Sequence, residues 1–183
     1  MAKKEKAKAS VEAKLFEALA FAAHKHRAQR RKDVEASPYI NHPIALARTL
    51  AVEGGIVDTA TLIAAVLHDT VEDTDTTFEE IRAMFGKTVA DTVREVTDDK
   101  SLEKADRKRL QVEHAPHMSR RAALVKLADK TSNLRDVASS PPRGWPLERR
   151  RAYFEWAREV VDGLPKVSKA LRAAFDEAYS KKP

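Results

Sequence analysis

The stretch Leu62–Thr77, LIAAVLHDTVEDTDTT, decides how this chain is read. Small and apolar residues run straight into His68 and Asp69, and Glu72, Asp73 and Asp75 follow. An apolar run that merely reaches solvent needs one charge, not a histidine and a set of acids. Residues four apart share a helix face, which pairs His68 with Glu72 and Asp69 with Asp73. The two pairs lie roughly 100° apart on a helix. A helix continued past Leu67 therefore sets all four groups around one pocket at its buried end. A carboxylate that starts so deep needs a partner, and a bound cation is one. The alternative is a solvated turn at Asp73, Asp75 and Thr76, with His68 hydrogen-bonded at its edge.

The rest of the chain reads as helices of the same kind. Val11, Leu15, Ala18, Leu19 and Ala22 mark one face of a helix running to about Ala28. Arg30 to Asn41 breaks the pattern and reads as a loop. Pro43 suits the first position of a second helix, which Gly54-Gly55 stops. Asp58 caps the helix that carries the opening stretch. Thr77 and Glu80 have capping-box spacing ahead of a helix ended by Gly86. Further helices are expected over Thr88–Val96, Asp106–Glu113, from Ser119 through Leu134, over Leu147–Val161 and over Lys166–Tyr179, with SSPPRGWP (139–146) as a loop. The expected fold is all-α, one helical domain of about eight to nine helices over residues 11–183, with residues 1–10 as a flexible basic tail.

Composition agrees. Among 183 residues, 43% are hydrophobic and 34% charged, with only five glycines and eight prolines, a balance that favours helices in a folded chain. The net charge of +6 would draw anions such as nucleotides, but basic proteins without a polyanion partner are common. There is no cysteine, which excludes disulfides and thiolate metal sites and fits a reducing compartment. No apolar run approaches the ~20 residues of a membrane span. No secretory signal is read at the basic start, so a cytoplasmic protein is expected. A basic helical module binding nucleic acid or a protein partner is the non-enzymatic alternative. The basic residues form no long block and no aromatic-basic interleaving, so no nucleic-acid partner is expected.

Two more residues bear on the opening stretch. His42 sits in PYINHPIALA (38–47), just before a helix, where it could equally cap or pack. Asp129 sits in LVKLADKTSNLRD (124–136), inside an apolar helix face, where a salt bridge to Lys126 or Lys130 would also serve. Taken with His68 and Asp69, they supply two imidazoles and two carboxylates. That mixed set suits Mn, Fe or another octahedral divalent ion with positions left open for water.

The order His, His-Asp, Asp on a helical chain resembles the HD superfamily of metal phosphohydrolases. The longer motifs HKHRAQRRKD (24–33), PYINHPIALA, AVLHDTVEDTDTT (65–77), EVTDDKSLEKADRKRLQVEHAPH (95–117), LVKLADKTSNLRD and GWPLERRRAYFEWAREVV (144–161) resemble the stand-alone guanosine tetraphosphate hydrolases. These are small relatives of the hydrolase half of RelA/SpoT proteins, the metazoan SpoT homologues among them. The resemblance implies metal ligands at His42, His68, Asp69 and Asp129 and catalytic acids at Glu72 and Asp73. It implies nucleotide contacts at Arg31, Lys32, Lys104 and Asn133. It further implies Mn²⁺-dependent hydrolysis of the 3′-pyrophosphate of guanosine tetra- or pentaphosphate, with NADPH 2′-phosphatase activity at the same site as the alternative. His24, His26, His114 and His117 are expected to be surface or packing residues. Trp145, Tyr153, Phe154 and Trp156 are expected to form the core of the late helices.

Overall fold

A computed structural model of the chain describes residues 10–183. The expected tail lies outside the described residues, apart from Ser10. That residue caps α1 (Val11–Lys25) by accepting the Ala13 N–H. The remaining helices are α2 (Asn41–Arg48), α3 (Thr59–Leu67), α4 (Thr70–Asp73), α5 (Phe78–Phe85), α6 (Lys87–Val96), α7 (Lys104–His114), α8 (Arg120–Ser139), α9 (Leu147–Gly163) and α10 (Lys169–Ser180). A π turn over Thr49–Glu53 extends α2, and a 3-10 turn over Ala115–His117 follows α7. No strand occurs among the described residues, and the ten helices include one of a single turn, so the architecture is all-α.

Two helices form the centre. Every residue of α3 from Thr61 to Leu67 is buried, as its unbroken apolar sequence requires. Thirteen residues of α8 are buried, among them Lys126, Asp129 and Lys130. α1, α2 and α6 pack on α3, while α9 and α10 pack on α8. The Arg135–Glu53 ion pair, at 2.7 Å, ties the π turn to α8.

Several helix boundaries depart from expectation, two of them where side chains take backbone groups, before α10 and after α3. α1 stops at Lys25, not Ala28, because His26 turns into the core, where its Nδ1 faces Gln29 Oε1 at 2.6 Å. α2 starts at Asn41, with Pro43 inside its first turn, where the missing N–H has no intrahelical partner to lose. α7 starts at Lys104 and α10 only at Lys169, where Ser168 accepts the Leu171 N–H. The helix of the opening stretch does not continue through the acids. It ends at Leu67, and His68 and Asp69 form a turn before α4. The Thr70 hydroxyl takes the Leu67 carbonyl at 2.7 Å and His68 Nδ1 takes that of Ala65 at 2.8 Å, replacing two helix bonds.

Gly54 closes the π turn against α10. A Cβ there would lie 2.7 Å from the Leu50 carbonyl oxygen and 2.8 Å from Leu171 side-chain carbons. Gly54→Ala is expected to cost about 1–3 kcal/mol through overpacking. Urea unfolding should show a lower midpoint at unchanged slope.

Candidate active site

The turn between α3 and α4 sets His68 and Asp69 at the end of the buried helix, facing His42 from α2 and Asp129 from α8. Ligand atoms of His42, His68 and Asp69 all lie within 4.8 Å of one another. Asp129 Oδ1 lies 3.3 Å from His42 Nε2 and 3.9 Å from His68 Nε2. His68 donates its Nδ1–H to the Ala65 carbonyl, because a carbonyl can only accept. That fixes the tautomer and leaves Nε2 facing the carboxylates. Nε2 lies 2.9 Å from Asp69 Oδ2, yet it is buried without an aligned hydrogen-bond partner. His42 Nδ1 is buried and unpartnered as well.

The two carboxylates are held ready for a cation. Asp69 Oδ2 accepts the Tyr39 hydroxyl at 2.5 Å. Asp129 Oδ1 accepts Asn133 Nδ2 at 2.6 Å, and Oδ2 pairs with the buried Lys130 at 3.3 Å. Burial alone would raise the Asp69 pKa, but His68 and His42 outweigh it and hold it below the usual range. Burial is likewise outweighed at Asp129, by Lys130, His42 and His68. Burial would lower His68, but Asp69 and Asp129 push it up to about 9. Burial and the Asp69 charge raise the Tyr39 phenol, which stays a donor. A buried and a half-buried carboxylate facing two buried imidazoles, with an orphaned ring nitrogen among them, fit a divalent ion bound through nitrogen and oxygen.

The two remaining acids separate. Glu72 lines the same cavity of about 150 Å³ as His42, His68, Asp69 and Asp129. Burial, then the charges of Asp69 and Asp98, push it up to about 7. Asp73 instead lines a neighbouring, larger cavity, and its carboxylate pairs with Lys100. A continuous helix would set both acids around one pocket; the break after Leu67 parts them.

The raised Glu72 pKa carries a stability consequence. Unfolded, the group ionises near 4.5; folded, near 7. Its contribution is thus fully present below 4.5 and is lost as pH rises through 7. In metal-free protein, Glu72→Gln should therefore gain stability relative to the parent across that window, by up to about 3 kcal/mol. Urea titrations from pH 4 to 8 measure it; a difference that stays flat with pH would contradict the assignment.

The larger cavity, about 460 Å³, is the size of a small-ligand site. Arg31, Lys32, Tyr39, Asn133, Trp145 and Tyr153 are among its walls. Arg31 pairs with Asp136 and also reaches Asn133 Oδ1 at 3.4 Å. Lys104 is not in this cavity. It borders a third one, of about 180 Å³, with Arg107, Lys108, Arg149, Trp145, Tyr153 and Trp156. Burial and the charges of Arg149, Lys32 and Arg107 lower the Lys104 pKa. Lys108 is lowered by burial, Lys104 and Arg149. Such crowded cations are relieved by an anion.

The structure corrects one expectation here. Phe154 is core, but Trp145, Tyr153 and Trp156 are only half-buried, and Trp145 and Tyr153 form the wall between two cavities. Lys130 and Lys108 lie 4.2 and 4.6 Å from the Trp156 ring, cation-π contacts added to its packing on the core. The signal was available: Arg149, Tyr153 and Trp156 recur at helical spacing on one face of α9. Tyr39 had no such signal, because its role depends on the distant Asp69. His26 is buried against Tyr39, their ring centroids 4.8 Å apart, as a packing residue should be.

Comparison with known proteins defines the class. Residues 18–154 match the HD domain family model, and the chain belongs to that family. It is 58% identical over 165 residues to guanosine-3′,5′-bis(diphosphate) 3′-pyrophosphohydrolase MESH1 of Xenopus tropicalis, covering 90% of this chain and 92% of that one. The Homo sapiens protein of the same name is 56% identical over 170 residues, 93% of this chain and 95% of that one. The bifunctional (p)ppGpp synthase/hydrolase SpoT of Escherichia coli is 38% identical over 155 residues, 81% of this chain but 20% of that protein. A solved structure of a metazoan orthologue of SpoT, described as hydrolysing ppGpp and playing a role in starvation responses, superposes with a TM-score of 0.90. It is 51% identical and covers 96% of this chain and 97% of that one. No helix among the described residues is long and apolar enough to cross a membrane.

Proposed function

We propose that this chain is an enzyme that hydrolyses the 3′-pyrophosphate of guanosine tetra- and pentaphosphate, leaving GDP or GTP, with Mn²⁺ as its cation. The observation that carries this reading is the convergence of His42, His68, Asp69 and Asp129 beside a carboxylate poised at about 7. The relatives named for the same reaction cover nearly the whole chain and support it.

A divalent cation held by those four residues would supply a Lewis acid that polarises a phosphoryl oxygen and acidifies a water. Glu72 borders that cavity with a proton affinity near neutrality, which suits a general base. It takes a proton from the attacking water as the water oxygen bonds to the phosphorus on the ribose 3′-oxygen. The bond from that phosphorus to the 3′-oxygen breaks, pyrophosphate leaves, and the 3′-oxygen takes up a proton. Asp73 lines the adjoining cavity and serves as the secondary acid. Tyr39 holds Asp69, and Asn133 and Lys130 hold Asp129, so both carboxylates keep their orientation. Arg31, Lys32 and Asn133 border the larger cavity, where a nucleoside fits against Trp145 and Tyr153. Lys104, with Lys108 and Arg149, borders the cationic cavity, suited to a second phosphate arm.

The test is a substrate panel with purified protein, with Mn²⁺ and after chelation. Pyrophosphate should be released from guanosine tetraphosphate only when Mn²⁺ is present. Orthophosphate from NADPH, with no pyrophosphate from the guanosine substrates, would overturn the proposal.

A further inference from the structure

Glu72 is held from two directions by α7 and the loop before it. Its Oε2 accepts the Asp98 N–H at 3.2 Å, and its Oε1 lies 3.7 Å from Arg107 Nη1. Asp98 is held in turn by Gln111, whose Nε2 donates to Asp98 Oδ2 at 2.6 Å. Arg107 and Gln111 are four residues apart and share a face of α7. Gln111 lines the cavity that contains His68, Asp69 and Asp129, while Arg107 lines the cationic cavity beside it.

A plain solvated helix face does not account for this pair. Arg107 Nε and Gln111 Oε1 are both buried without a hydrogen-bond partner. A buried polar atom left without a partner is costly to fold. α7 has no fully buried residue, so these two orphans stand out on a helix that is otherwise half-buried or exposed. The geometry also treats the two carboxylate oxygens differently. Oε2 is tied by a backbone donor. Oε1 faces a guanidinium beyond hydrogen-bond length, close enough to be steered by charge while still open to accept a proton.

We propose that Arg107 and Gln111 are positioning residues for Glu72: Gln111 fixes Asp98, whose N–H anchors Oε2, and Arg107 steers Oε1 toward the water it deprotonates. The proposal rests on the reading of Glu72 as the proton acceptor. Removing either residue leaves metal and nucleotide bound but turns the carboxylate away from its task.

The experiment measures kcat, KM and metal content of the Mn²⁺-loaded full chain for pyrophosphate release from guanosine tetraphosphate. Arg107→Gln and Gln111→Ala are made alone and combined with Glu72→Gln. Arg107→Lys, which keeps the charge, serves as the rescue and as a milder variant should Arg107→Gln fail to fold. Arg107→Gln should lower kcat about 10- to 100-fold with KM within about threefold, as expected for a misplaced catalytic group. Arg107→Lys should recover most of that loss. In the Glu72→Gln background the further loss should be under about twofold, because residues acting through one another are not additive. A raised KM at parental kcat would make Arg107 a phosphate contact and overturn the proposal. Equal losses in both backgrounds would also overturn it, as would parental kcat in Arg107→Gln. An inactive parent enzyme would remove the reading of Glu72 itself, a different result from an active parent that is indifferent to Arg107.

Discussion

Asp69→Ala and Asp129→Ala should each abolish pyrophosphate release and empty the chain of its metal. Each removes a carboxylate that faces both histidines at 2.9 to 3.9 Å, and no neighbouring acid replaces it. Glu72 is the nearest alternative in the cavity, but Asp98 and Arg107 hold it from the other side. The expected loss in turnover is at least ~10³-fold, since both the Lewis acid and the acidified water disappear with the ion. Asp129→Ala also strips the buried Lys130 of its partner, so it should unfold more easily than Asp69→Ala. Asp129→Asn keeps the shape and separates the two effects: folding is restored, the metal is not. Metal analysis beside circular dichroism makes the measurement. Parental turnover in either alanine variant would remove the proposed centre.

Glu72→Gln should give the opposite division. The metal stays, because the four proposed ligands are untouched, and substrate affinity stays, because Glu72 lines neither the larger nor the cationic cavity. Only the rate falls, by about 10²–10⁴-fold, the usual contribution of a general base. A kcat that drops with KM unchanged identifies a group acting in the transition state. Loss of the ion in this variant would make Glu72 a ligand.

The helical architecture is legible in the sequence because apolar spacing and caps are local properties. Asp58, Thr77 and Ser119 each accept a backbone N–H at the helix start that their position suggests. The residue types of the centre are legible too, as imidazoles and carboxylates set in apolar context, and the fold gathers His42, His68, Asp69 and Asp129. What spacing alone does not reveal is the break after Leu67. There the side chains of His68 and Thr70 capture backbone carbonyls, and a continuous periodicity contains no trace of that competition. Half-buried aromatics pose a similar difficulty. Tyr153 and Trp156 line a cavity, and the one local hint of it is Arg149 on their face of α9. The α7 sequence is dense in charge, as a solvated face would be. Only distance to Asp98 and Glu72 tells Arg107 and Gln111 from neighbours such as Arg109, which meets only Asp106 and Glu113 on its own helix.

The contrast between α8 and α7 has a further consequence. α8 carries Asp129 among thirteen buried residues, so its amides should exchange with solvent deuterium only on global unfolding. α7 has no fully buried residue, and its amides should open at a smaller free energy. Gentle warming would then silence catalysis while ellipticity and ion content persist, because the proton acceptor loses its brace before the scaffold yields.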